Sequence, residues 1–224
     1  MEQMKSSFLA PAQKAIGAMV RNKWFCLFWL LFGFLYVTIY GMLYVEDLYT
    51  EGVRSYGVFG VQVDPFMTAT ASIIGKTYPW LFRGWGLIQS ISLALNIQYM
   101  FRRYGYKSKA ANALLIAGTV CIIATTFIRS TEEPGLQRIA HWGTALLFAF
   151  LFAIAMGLGL LYLAKRSKKF MGTFILFVAM LVLMLALLIF VGKGGAIESI
   201  PMWGVYLILL FANYSNVYKD SLSA

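Results

Sequence analysis

Residues 24–45, WFCLFWLLFGFLYVTIYGMLYV, carry no charged side chain. A hydrocarbon core about 30 Å thick needs roughly 20 apolar residues in a helix, and this stretch supplies them. It is too long for the apolar region of a signal peptide and no small-residue cleavage site follows, so it is expected to stay as a span. A strand reading fails because the run lacks sustained period-2 alternation, and inside a bilayer each backbone polar group must find a partner within its own segment. Five further stretches have the same character: about 80–100, 110–128, 140–164, 170–192 and 199–218. The expected fold is therefore all-α, a polytopic integral membrane protein built as a bundle of six transmembrane helices.

The whole composition agrees. Of 224 residues, 60% are hydrophobic and only 12% charged, against roughly a quarter charged in soluble domains. Mean hydropathy is +0.73. The two cysteines, Cys26 and Cys121, fall inside apolar runs. They make no CxxC pair and no metal-ligand spacing, so they read as small packing residues rather than a disulfide framework or redox centre.

The net charge of +10 raises the question of nucleic acid. Its placement answers it, since the basic residues sit in short runs beside apolar spans, as topology signals do. Lys5, Lys14, Arg21 and Lys23 precede the first span. Arg102, Arg103, Lys107 and Lys109 join the second to the third, and Lys165, Arg166, Lys168 and Lys169 join the fourth to the fifth. With Lys219, one side of the bundle holds thirteen of the nineteen Lys and Arg. The positive-inside rule places that side, and with it both termini, in the cytoplasm. Seven of the nine acids fall on the other side: Glu46, Asp47, Glu51, Asp64, Glu132, Glu133 and Glu198. The plasma membrane is the default location, with no nucleic-acid partner.

This divides the chain into a cytoplasmic N-terminal segment (1–23), a six-helix domain (24–218) and a cytoplasmic tail (219–224). Residues 6–23 place Phe8, Ala12, Ala15, Ile16, Met19 and Val20 at helical spacing, the pattern of a short helix lying in the inner interface. The longest connection, about 46–79, is external. Its alternating piece VFGVQV suits a small hairpin, and its aromatic and apolar content suits a lid packed over the helices.

The chemistry-bearing residues gather at the outer ends of the spans. Arg83 lies about one turn into the second span, Arg129 closes the third, His141 opens the fourth, and Glu198 opens the sixth. FIRSTEEPGLQRIAHWG, residues 127–143, holds Arg129, Glu133 and the only histidine in a single connection. One reading is a polar pocket beneath the external loop, with His141 paired to Glu133 or Glu198 and an arginine holding an anionic group. The other is interfacial snorkelling and helix capping, with STEEP supplying N-cap candidates. A His with a carboxylate also suits general-base work on a lipid, and Thr144, one turn below His141, is the nearest hydroxyl by sequence. HExxH and GxSxG are absent, and one histidine cannot build a multi-His metal site, so no metal or cofactor is expected. Gln89, Ser90, Ser92 and Asn96 make the second span the most polar, matched by Asn213, Ser215 and Asn216 in the sixth. These either line a narrow transport cavity or hydrogen-bond between helices.

Three stretches carry a resemblance: YPWLFRGWGLIQSISLAL after the long loop, IAHWGTALLFAFLFA with His141 opening its span, and GAIESIPMWGVYLILLFANYSNVYKD at the end. In layout the chain resembles the Frag–DRAM–Sfk family of six-span membrane proteins and its prokaryotic relatives. In residues the likeness rests on His141, Glu198 and Asp220. Members of that family are linked to lipid-anchor remodelling and membrane lipid organisation, so the resemblance implies a lipid-facing role. The expected function is binding or organising a lipid or lipid-linked molecule on the outer-leaflet side through His141, Glu198, Arg83, Arg129 and Glu133. An intramembrane lipid hydrolase or transferase using His141 as base is the alternative, and a small transporter or channel is the third.

Overall fold

The starts of the first helices follow from capping residues and a proline that the sequence supplies between its apolar runs. In the computed structural model, which describes residues 17–43, 69–131, 133–192 and 194–218, Asn22 opens α1 (Lys23–Gly41), its Oδ1 accepting from the backbone N–H of Trp24 and Phe25 at 3.1 Å each. Thr70 caps the short α2 (Ala71–Thr77), and proline opens α3 (Pro79–Arg103), where a missing N–H costs nothing. Ser108 caps α4 (Lys109–Phe127) by accepting from Ala111 N–H at 3.1 Å. Then come α5 (Leu136–Ala164), α6 (Lys168–Phe190) and α7 (Gly195–Tyr214). Gly105, at φ +67°, breaks the chain out of α3 in the left-handed region where a side chain would be strained. Residues 17–21 are also helical, and Val20 packs on Cys26 and Leu95 where the start of α1 meets the C-terminal half of α3.

The described residues are all helix and connection, and five of the helices (α1, α4, α5, α6 and α7) are long and apolar enough to cross a membrane. Away from their ends the large side chains they expose are apolar, among them Phe28, Leu35, Ile116, Leu147, Phe150, Val182 and Phe211. Polar side chains of the mid-helix turns, such as Gln89, Ser92, Asn96 and Thr125, lie inside. A lipid-facing bundle shows this distribution, because hydrocarbon gives hydrogen-bonding groups no partner.

The helix directions can be read from cross-contacts. Along the α1–α3 seam the partners are Cys26 with Asn96, Trp29 with Ser92, and Gly33 with Gln89. Numbers rise on one helix as they fall on the other, so the two are antiparallel. Gln98 to Asn112 and Gly86 to Thr126 make α3 and α4 antiparallel in the same way, and so do Thr125 to Thr144 and Gly118 to Phe152 for α4 and α5. Tyr206 bonds Gln89 while Asn213 and Tyr214 bond Asn96, which makes α3 and α7 parallel. The helix α3 therefore lies among its neighbours rather than at the rim.

That position explains its polarity. Gln89 and Asn96 are both 0% exposed. Gln89 Nε2 donates to Gly33 C=O (3.0 Å), Ser92 Oγ to Trp29 C=O (2.7 Å), and Asn96 Nδ2 to Cys26 C=O (3.0 Å). From the opposite flank Tyr214 Oη donates to Asn96 Oδ1 (2.7 Å) and Asn213 Nδ2 to the Asn96 carbonyl (2.9 Å). The helices α1 and α7 come close enough only because residue 33 is glycine. A Cβ there would fall 2.6 Å from Ser92 Oγ and against the Tyr206 hydroxyl.

Several expectations shift. The segment near 71–79, read from sequence as the end of a loop, is α2 and the start of α3. The helix α5 begins at Leu136, so His141 lies roughly 8 Å along it rather than at its mouth. STEEP does not cap α5: the N-cap is Gly135 with no side-chain hydrogen bond, and Thr131 instead accepts from Glu133 N–H (3.2 Å) to close the turn. The VFGVQV piece, the tail with Asp220 and the start of the N-terminal segment lie outside the described residues.

Candidate functional site

One turn and a half into α5, His141 is 2% exposed. Its Nδ1 lies 2.8 Å from the carbonyl of Ile128 and its Nε2 2.9 Å from Ser72 Oγ. A carbonyl can only accept, so Nδ1 carries the hydrogen and donates. In the neutral ring Nε2 is then an acceptor, and the Ser72 hydroxyl donates to it. Ile128 is the C-cap of α4, where carbonyls run out of intrahelical partners. The imidazole thus ties the beginning of α5 to the end of α4 and to α2, with the Phe82 ring 6.4 Å away.

Thr144 does not meet the imidazole. Its hydroxyl turns back to the carbonyls of Ala140 (2.8 Å) and His141 (3.0 Å) and accepts from Thr125 (2.9 Å). A hydroxyl one helical turn away finds its own backbone first. The hydroxyl on His141 comes instead from Ser72, 69 residues earlier in the chain. Sequence reasoning missed it because a serine two residues past a Thr cap carries no local mark of its distant partner.

Arg83, one turn into α3, is held between two rings. Its guanidinium carbon is 4.5 Å from the Trp80 ring centre and 5.2 Å from that of Phe127. Trp80 is 76% and Phe127 56% exposed. Among the described residues the guanidinium meets no carboxylate. Arg83 and His141 are thereby brought to one end of the bundle, since Phe127 precedes the Ile128 that accepts from His141.

The remaining candidates are placed apart. The side chains of Arg129 and Glu133 are exposed on the turn before α5, where the Arg129 carbonyl accepts from Gln137 (3.0 Å). Glu198 is half-buried in the first turn of α7, beside N–H groups that favour a negative charge. With both nitrogens of His141 engaged by Ser72 and Ile128, neither Glu133 nor Glu198 is its hydrogen-bond partner.

Beneath this end lies an aromatic cluster. Trp85 is buried, with ring centres of Phe82, Tyr40 and Phe148 at 5.9, 6.3 and 6.4 Å. Its indole N–H has no acceptor among the described residues. Of the polar residues in and beside α3 and α7, Gln89, Ser92, Asn96 and Asn213 form the interhelical bonds given above, whereas Ser90 and Ser215 donate to carbonyls of their own helices.

Long apolar helices around a polar, hydrogen-bonded interior define the class of multi-pass integral membrane proteins. No family model, curated protein or solved structure matches the chain, so the functional reading rests on the geometry.

Proposed function

We propose that the protein spans the membrane six times, with both termini in the cytoplasm, and binds a lipid or lipid-linked molecule on the outer-leaflet side of the plasma membrane. The span that completes the six is α3, second in chain order. The helices α1 and α4 run in the same direction, and a chain that crosses twice one way must return between the crossings. The 25 residues of α3 reach about 37 Å, enough to do so. The basic connections at 102–109 and 165–169 share one end, which the positive-inside rule assigns to the cytoplasm.

Arg83 carries the binding reading. A cation caught between two exposed aromatic faces, with no carboxylate on it among the described residues, keeps its N–H edge available for a phosphate or carboxylate at headgroup depth. The rings fix its position without neutralising it. Arg129, on the neighbouring turn, adds a second positive charge. Glu133 and Glu198 border the same side, and His141 forms part of its floor.

The test is mass spectrometry of lipids co-purified with the wild type and with Arg83→Gln. A charge-assisted hydrogen bond contributes about 1.5–3 kcal/mol, so the retained anionic lipid should fall roughly 10- to 100-fold. Equal lipid profiles from two folded proteins would refute the reading.

A further inference from the structure

We infer that Ser72 and His141 form a nucleophile–base pair that cleaves the ester of a membrane lipid at the outer-leaflet side. The inference takes its substrate class from the lipid-binding reading and adds the chemistry. Three observations carry it. The Ser72 hydroxyl lies 2.9 Å from Nε2 while Nδ1 is held by the Ile128 carbonyl at 2.8 Å. A nucleophile on a base that a third group orients is the arrangement activation requires. Exposure divides correctly between the two, with the imidazole buried and the Ser72 side chain partly open. Finally, the cluster behind His141 contains the buried N–H of Trp85, which has no acceptor among the described residues. That donor needs an acceptor but no negative charge, which suits an ester carbonyl better than a phosphate. Ester groups of glycerolipids lie just below the headgroups, and Ser72 stands at the same end of the bundle as Arg83, joined to it through His141, Ile128 and the adjoining Phe127.

The step balances without an outside oxidant or metal. Ser72 Oγ attacks the ester carbonyl carbon as its proton passes to His141 Nε2. The carbon–oxygen bond to the lipid alcohol breaks, and Nε2 returns the proton to that oxygen, leaving acyl-Ser72 and a free alcohol. Water then attacks the acyl group, again through Nε2, releasing a fatty acid and restoring the hydroxyl. The Ile128 carbonyl holds the tautomer throughout.

The experiment treats the full-length protein in liposomes with a long-chain alkyl fluorophosphonate and locates the adduct by peptide mass spectrometry. Fatty acid released from diacyl phospholipid in the same vesicles is measured in parallel. His141→Asn is the informative variant, because its amide N–H takes the place of Nδ1 toward Ile128 while Nε2 is lost. The expected result is an adduct on Ser72 and fatty-acid release in the wild type, neither in Ser72→Ala, and both slowed about 100-fold or more in His141→Asn. A wild type that shows no adduct at Ser72, or a His141→Asn protein labelled at the wild-type rate, would overturn the inference. Retained lipid without an adduct sinks only this proposal, whereas an adduct without selective lipid retention sinks only the binding reading.

Discussion

Replacing Asn96 by leucine separates two arrangements of α3 by the sign of its effect. If that face of α3 met lipid, exchanging an amide for a hydrocarbon side chain would favour the membrane-embedded state. The structure buries Asn96 completely and joins its side chain to two neighbouring helices, accepting from Tyr214 on α7 and donating to the Cys26 carbonyl on α1. Its third bond, to the Ser92 carbonyl, stays within α3 and adds little to association. Interhelical hydrogen bonds in membranes average about 0.6 kcal/mol and reach about 1.7, so losing two costs roughly 1–3 kcal/mol. The Cys26 carbonyl keeps its bond within α1, which holds the loss near the lower end there. Tyr214 is left without this acceptor, which pulls the other way. For a chain of this size, each kcal/mol corresponds to about 2–4 °C in Tm. Thermal unfolding in a single detergent, followed by intrinsic fluorescence, should therefore show Asn96→Leu melting several degrees below the wild type. An unchanged or raised Tm would refute the placement of α3 between α1 and α7.

Two further expectations concern the fold. Gly33→Ala forces a Cβ against Ser92 and Tyr206 at the contact of three helices and should destabilise by about 1–3 kcal/mol. Gly143→Ala, where nothing lies within 4 Å, should be neutral or stabilising by up to about 1 kcal/mol through helix propensity; denaturant titration of the two side by side checks the contrast. In intact cells a membrane-impermeant maleimide should label Gly135→Cys but reach Lys107→Cys only after permeabilisation, and equal labelling of both would contradict a crossing by α4.

Much of the architecture is written locally. Helix formation across 24–41 and in the other apolar runs follows from length and hydropathy, because the bilayer demands that each backbone polar group be paired within its own segment. Helix starts are local too, since Asn22 and Ser108 cap the turns that immediately follow them. The burial of Gln89, Ser92 and Asn96 was legible only as polarity in an otherwise apolar run. Whether those groups lined a cavity or joined helices depended on which carbonyls stood opposite, and that is a matter of packing.

The site divides the same way. Sequence marks Arg83, Arg129, His141 and Glu198 as ionisable groups near the ends of apolar runs, because cost in hydrocarbon depends on depth and depth can be counted along a helix. It cannot say which of them meet. Thr144 is close to His141 in sequence and bonds its own backbone. Ser72 is 69 residues away and holds Nε2. Tertiary structure alone decides this, because a helix fixes the direction of a side chain while the docking of separate helices fixes what that side chain finds there.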